Sequence, residues 1–310
     1  INKVGLRELG NGCQIDGDQK ENPDAYIIRS ENLHGVDFPD NLKVIARAGA
    51  GTNNIPIDVA TDHGIVVFNT PGANANAVKE AVIASTLLSA RDYLGANKWV
   101  NTLTGDDVPN QVEAGKKQFA GTEIAGKTLG VIGLGAIGAR IANDAVRLGM
   151  NVIGYDPYVS VETAWGLNRA IIRATEIQEI FKNSDYITIH VPLTPETKET
   201  FNREAFDLMG KDVTIINFAR GELVDNKALF DAIETGVVKR YITDFGTEEL
   251  LNKDKIIVLP HVGGSTEEAE LNCAIMASQT IRRFLETGEI INSVNFPNVK
   301  QVLDRKSTRL

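Results

Sequence analysis

The feature that most constrains this chain is Gly133-Leu134-Gly135-Ala136-Ile137-Gly138, a G-x-G-x-x-G hexamer. Alone it is a weak signal, because glycine-rich hexamers occur by chance. Its setting is what gives it meaning. Residues 128–132 (TLGVI) before it read as a strand, and residues 135–148 after it read as a helix. Gly149 supplies a left-handed cap, and residues 151–155 (NVIGY) read as the next strand. In such a βαβ unit the first glycine permits the tight turn and the second lets backbone approach a pyrophosphate. The third allows close helix–sheet packing, while the helix N-terminus offers free N–H groups and partial positive charge. Asp156 ends the second strand, where a carboxylate accepts hydrogen bonds from ribose hydroxyls and repels a 2′-phosphate. Pro157-Tyr158 brings no adjacent cation, so the expected cofactor is NAD rather than NADP. A glycine turn with an incidental Asp is the bland alternative.

The rest of the chain alternates in the same way, which argues for a parallel α/β architecture. Residues 25–29, 42–47 and 65–68 read as strands of a small first unit, with a short helix at 58–62 ending at His63-Gly64. Residues 79–94 are strongly helical. Residues 95–123 read as irregular, either an arm packed on another subunit or a mobile loop. Further strands are expected at 186–190, 213–217, 240–243 and 256–259, with helices at 177–182, 203–209, 226–235 and 265–286. Several of these strands are apolar throughout, as in a sheet covered on both faces.

Composition narrows the function classes. The formal charge is −9, against a general nucleic-acid binder, which needs a basic face to displace phosphate counterions. No apolar run approaches the length of a membrane span. Cys13 and Cys273 are too few for a disulfide framework, and a reducing, cytoplasmic setting is expected. With four histidines in separate segments, a metal site is not expected. The first residue is Ile1, so nothing about a targeting segment follows from the N-terminus. Residues 304–310, DRKSTRL, match the translation of a common sequencing adapter. They are expected to be a non-native tail, with the natural chain continuing after Leu303.

Three polar residues fall at strand ends of the nucleotide-binding region: Arg220 in NFARG, Glu249 in TDFGTEEL and His261 in LPHVGGST. Carboxyl ends of strands face the ligand crevice in such sheets. The set suits hydride transfer from a 2-hydroxy acid. Histidine removes the hydroxyl proton, the carboxylate stabilises the imidazolium, and arginine grips the substrate carboxylate in fork geometry. Strand-end polar residues also cap loops, and that alternative stays open on spacing alone. His34 reads as solvated, His63 as a helix-end residue, and His190 as a structural or secondary residue near the site.

The motifs ARAGAGTNNIP (46–56), FNTPGANANAVKE (68–80), VIGLGAIGARIAN (131–143) and GYDPY (154–158) carry a resemblance, as do HVPLTPETK (190–198), NFARGELVD (217–225), LPHVGGSTEEAE (259–270) and NSVNFPNV (292–299). The chain resembles the D-2-hydroxyacid dehydrogenases, closest to their phosphoglycerate dehydrogenase branch, across nearly all of residues 1–303. The resemblance implies a Rossmann-type doubly wound sheet at 78–264, inserted into a smaller flavodoxin-like α/β substrate domain at 1–77 and 265–303. It implies Arg220, Glu249 and His261 as the catalytic set, with Glu249 favoured over Glu248 by its spacing from Asp244. Cofactor contacts are implied at Gly133, Gly135, Ala136, Ile137, Gly138, Asp156, Val191, Pro192, Phe218, Ala219, Arg220, Asp244, His261, Gly263 and Gly264. It places a substrate phosphate on Arg29 and Arg47 and a substrate carboxylate on the backbone of Ala48 and Gly49, in a cleft that closes to assemble the site. The implied reaction is NAD-dependent oxidation of 3-phospho-D-glycerate to 3-phosphooxypyruvate, the first step of phosphorylated L-serine biosynthesis. The implied assembly is a homodimer or higher homo-oligomer, with the 95–123 arm on the partner. The alternatives are another D-2-hydroxy acid (2-hydroxyglutarate, glycerate or lactate) or an NAD-sensing, corepressor-like binding protein. One departure stands out: Leu250 follows Glu249 where the family usually has Pro.

Overall fold

The structure is a computed structural model that describes residues 1–15 and 22–300. The expectation about residues 304–310 lies outside the described residues. In chain order the elements are helix α1 (Lys3–Leu6), strands β1 (Ala25–Ile28) and β2 (Val44–Arg47), helix α2 (Ile57–Asp62), strand β3 (Val66–Phe68) and helices α3 (Ala75–Ala90), α4 (Tyr93–Val100) and α5 (Val108–Gly115). Next come β4 (Thr128–Ile132), α6 (Gly138–Arg147), β5 (Asn151–Tyr155), α7 (Val161–Gly166), β6 (Ile172–Arg173), α8 (Ile177–Asn183) and β7 (Tyr186–Ile189). The chain closes with α9 (Arg203–Asp207), β8 (Val213–Asn217), α10 (Asn226–Glu234), β9 (Val238–Thr243), β10 (Ile256–Val258) and α11 (Glu267–Thr287). It divides into two compact units, one of residues 1–75 with 265–310 and one of residues 76–264.

In the first unit β1, β2 and β3 form a parallel sheet in that order. Side-chain alternation along the strands decides which helix each face meets. Val44, Ala46 and Phe68 pack with Cys273, Ala277 and Ile281 of α11. Ile45 and Val67 turn the other way, toward Ile55, Ala60 and Ile65 around α2. Each large aliphatic side chain buried this way contributes about 1.5–3 kcal/mol. Asn295 fastens the chain's return to this unit: its Oδ1 accepts from Val67 N (2.9 Å) and its Nδ2 donates to Ile65 O (2.9 Å).

The second unit is built on a seven-stranded parallel sheet, ordered β10-β9-β8-β7-β4-β5-β6. One face packs Ile180, Phe206 and Leu229 from α8, α9 and α10 on Ile187 and Ile215. The other packs Val82 of α3 and Ile141 and Ala145 of α6 on Leu129, Val131 and Val152. Every residue of β7 and β8 is buried, as in a sheet covered on both faces, and apolar side chains predominate in both strands. The strand order reverses between β4 and β7, and a crevice opens at the carboxyl ends of such a pair.

The irregular reading of residues 95–123 is overturned. The segment holds part of α4, all of α5 and a 3-10 turn at Lys116–Phe119. Asp92 caps α4 by accepting from Gly95 N (3.1 Å), and the Trp99 ring packs against Phe119 at 5.3 Å. These contacts override the poor helix propensity of Gly95 and Asn97. The helix expected at 79–94 instead ends at Ala90 and starts four residues earlier, at Ala75. Helix α7 and the edge strand β6 were not foreseen.

Candidate functional site

At the end of β4 the chain must turn sharply into α6. Gly133 does so at φ +88°, and its N–H donates to Tyr155 O (2.8 Å). A Cβ there would lie 2.7 Å from His190 O, so no larger residue fits. A Cβ on Gly138 would overlap the Gly133 carbonyl, whereas one on Gly135 would meet no heavy atom within 4 Å. The three glycines therefore differ: one turns, one packs, and one leaves an open face beside the first turn of α6. Asp156, just past β5, is fixed against this loop. Its Oδ2 accepts from Leu134 N and its Oδ1 from Tyr158 N, both at 2.8 Å. Open backbone at a helix N-terminus with an anchored carboxylate one strand away fits a dinucleotide. Ala136 and Ile137 lie in that turn, and Ile137 is the N-cap residue of α6.

His190 follows β7, across the switch point from the loop. Burial holds its imidazole neutral, with a pKa pushed down to about 3. Nε2 is 2.8 Å from Thr188 Oγ1, while Nδ1 is buried with no hydrogen-bond partner. Val191 comes next, beside Gly133, and Pro192 O accepts from Thr197 Oγ1 (2.6 Å).

The strand ends of β8 and β9 gather a second group. Asn217 is fully buried, and its side chain shapes the turn that carries Phe218, Ala219 and Arg220. Its Oδ1 accepts from Ala219 N (3.1 Å); its Nδ2 donates to Arg220 O (2.7 Å) and lies 3.3 Å from the Tyr241 hydroxyl. Arg220 is left exposed, its guanidinium donating to Ala219 O (2.6 Å). Asp244 is buried; its carbonyl accepts from His261 N (3.1 Å) and its Oδ2 from Gly263 N (3.1 Å). Burial raises the Asp244 pKa, against the lowering pull of the Gly263 bond and the charges of His261 and Arg220. A Cβ on Gly263 would stand 3.4 Å from the Phe218 ring, so Phe218, Asp244, His261 and Gly263 form one cluster. Gly264 follows at the end of this unit. His261 sits in left-handed backbone at φ +51°, with its ring 4.8 Å from that of Phe245. Such strain in a non-glycine residue is held only where its surroundings fix it.

Glu249 is placed differently. It is exposed in the short 3-10 turn Glu248–Leu250 and accepts a hydrogen bond from Asn226 Nδ2. Among the described residues it makes no hydrogen bond or ion pair with His261. A cavity of about 920 Å³ lies beside His261 and Asp244, with Asn226, Tyr241 and Leu250 also on its wall.

In the first unit, Arg29, Arg47, Ala48 and Gly49 come together at the carboxyl ends of β1 and β2. Arg47 Nε donates to Arg29 O (3.1 Å), and the Arg47 guanidinium lies against Gly49. Arg29 pairs with Glu270 at 2.9 Å. The N–H of Ala48 donates to Ile28 O (2.8 Å) and that of Gly49 to Arg47 O (2.9 Å). His63 ends α2 as expected, its Nδ1 2.8 Å from Val59 O. His34 is exposed, with Nε2 3.1 Å from Asn53 O.

Residues 83–263 match the sequence profile of the D-isomer specific 2-hydroxyacid dehydrogenase NAD-binding domain. The chain belongs to the D-2-hydroxyacid dehydrogenase family. It is 39% identical over 312 residues to a D-3-phosphoglycerate dehydrogenase of Methanocaldococcus jannaschii, covering 97% of this chain and 57% of that one. It is 35% identical to a D-3-phosphoglycerate dehydrogenase of Bacillus subtilis, covering 88% and 52%. The chain thus spans just over half the length of these curated relatives. Among solved structures it resembles NAD+-bound 3-phosphoglycerate dehydrogenase of Entamoeba histolytica (TM-score 0.72, 27% identity, 94% of this chain and 93% of that one). It also resembles a D-lactate dehydrogenase of Aquifex aeolicus complexed with NAD and lactic acid (TM-score 0.70, 25% identity, 90% and 88%). No helix among the described residues is long and apolar enough to cross a membrane.

Sequence reasoning missed the contacts that Asn217 and Asn226 make here. The position of Asn217 at the end of β8, three residues before Arg220, was a usable signal, since a buried amide at a strand end must satisfy its donors and acceptor nearby. Asn226 carried no such signal.

Proposed function

We propose that the chain catalyses NAD-dependent oxidation of 3-phospho-D-glycerate to 3-phosphooxypyruvate, the first step of a phosphorylated L-serine route. The observation that carries this reading is the gathering of Arg220, Asp244 and His261 at the ends of β8, β9 and β10, in the unit that holds the glycine loop. Bound NAD supplies the hydride acceptor. Asp156 takes the ribose hydroxyls of the adenosine half, and its charge disfavours a 2′-phosphate. His261 takes the proton of the substrate C2 hydroxyl on an imidazole nitrogen. Arg220 holds the substrate carboxylate and stabilises charge building on the C2 oxygen. Glu249 is the carboxylate that stabilises the imidazolium. Arg29 and Arg47 are the cations for the substrate phosphate; the N–H groups of Ala48 and Gly49 meet a substrate carboxylate only by giving up their bonds to Ile28 O and Arg47 O.

A second reading, an unphosphorylated D-2-hydroxy acid, is favoured by the Glu270 carboxylate already on Arg29. The test is NADH formation by purified protein across phosphorylated and unphosphorylated D-2-hydroxy acids. The highest kcat/KM on 3-phospho-D-glycerate is expected, and equal or better turnover of D-lactate sinks that substrate. Turnover without a partner protein also separates an enzyme from an NAD sensor. We further propose a cytoplasmic homodimer, supported by exposed Tyr93, Leu94 and Val100 on α4, a helix that buries none of its residues within the chain. Light scattering on the purified protein checks the assembly.

A further inference from the structure

We propose that Asn226 is a positioning residue that holds the Glu249 carboxylate off His261 in the free chain, so that the imidazole gains this partner only when the Asn226 contact breaks. The inference rests on the reading of Glu249 and His261 as an acid–base pair. Both ends of the contact are anchored. Asp225 caps α10 by accepting from Lys227 N (2.9 Å) and Ala228 N (3.3 Å), which fixes the backbone that carries Asn226. Glu249 rides on a turn pinned by Leu250, whose side chain is buried and whose N–H donates to Thr247 O (3.0 Å). A proline at 250 would have no N–H for that bond, so the turn that presents Glu249 to Asn226 depends on Leu250.

Space for the exchange exists. Asn226, Leu250 and His261 all line the cavity of about 920 Å³, so a carboxylate leaving the amide enters open volume rather than packed core. The other charged groups around His261 are accounted for. Asp244 faces it from the end of β9 with one oxygen on Gly263 N, and Arg220 reaches the same cluster. Glu222 lines the cavity, as do Lys198 and Glu199, paired with each other at 3.6 Å. Glu249 is the carboxylate here whose position is set by a neutral side-chain amide.

The experiment is a double-variant cycle on the free protein. The His261 imidazole is titrated by NMR in wild type, Asn226→Ala, Glu249→Gln and the double variant, its signal assigned by His261→Gln. Glu249→Gln alone is expected to move the His261 pKa little. Asn226→Ala is expected to raise it by about one unit, as an opposite charge within reach does, and the double variant to return it to the wild-type value. The acid limb of the kcat/KM profile follows the same pattern. Asn226→Ser serves if the alanine variant folds poorly. The proposal is overturned if Glu249→Gln alone lowers the His261 pKa by about a unit, if Asn226→Ala leaves it unchanged, or if the rise persists in the double variant. Failure to turn over every hydroxy acid tested would defeat the functional reading, while the titration still decides the contact.

Discussion

Gly135→Ala separates folding from cofactor binding. The added methyl meets no protein atom within 4 Å, and Gly135 is outside the left-handed region, so the fold accepts it without strain. Ala also narrows the unfolded ensemble, so stability is expected to rise by about 0.4–1 kcal/mol. The same methyl projects into the open face where a pyrophosphate approaches the first turn of α6. Pushing the phosphates out of reach removes one or two charge-assisted hydrogen bonds, about 2–4 kcal/mol in total. At ~1.4 kcal/mol per tenfold, Kd for NAD rises roughly 30- to 1000-fold. Calorimetric titration reads the affinity and urea unfolding the stability. Gly138→Ala is the contrast, because its methyl overlaps the Gly133 carbonyl and lowers stability and binding together. A Gly135→Ala protein that is folded and binds NAD within about threefold of wild type would refute the placement of the pyrophosphate here.

Other consequences are as direct. The neutral His190 imidazole resists protonation to about pH 3, whereas the unfolded one titrates near the ordinary 6.5. Protons therefore favour the unfolded chain below about pH 6.5, and between pH 7 and 5 wild type should lose about 2 kcal/mol more stability than His190→Asn in urea titrations. Equal losses would show that the ring is solvated. Asp156→Ser removes the charge that repels a 2′-phosphate and should lower the NAD/NADP ratio of kcat/KM at least tenfold (~1.4 kcal/mol); an unchanged ratio counts against the role of Asp156. Glu270→Gln frees Arg29 from a partly exposed pair worth ~0.5 kcal/mol. KM for a phosphorylated substrate should fall about twofold, with KM for D-lactate unmoved; equal changes on both would remove Arg29 from phosphate binding.

The glycine loop and Asp156 were legible because their chemistry depends on neighbours close in sequence: a strand, a turn, a helix start and the next strand end. The strand order was not, because nothing local in Tyr186–Ile189 says that β7 pairs with β4 rather than with β6. Residues 95–123 misled because Trp99 finds Phe119 only after an intervening turn and the whole of α5. Glu249 shows the same limit at the site. Its spacing from Asp244 was readable, but its hydrogen bond to Asn226 depends on how α10 and the Glu248–Leu250 turn meet in space.

Helix α11 has a consequence for how the chain is made. The core around Leu9, Val44 and Phe68 is completed by Cys273, Ala277 and Ile281, from the opposite end of the sequence. A ribosome delivers residues 76–264 as one unbroken stretch, with every strand of the larger sheet already in hand. The earlier-born strands β1, β2 and β3 meanwhile wait with one apolar face uncovered. The unit begun before the larger sheet is thus completed after it, and until α11 emerges its bare face is exposed to aggregation and to chaperones.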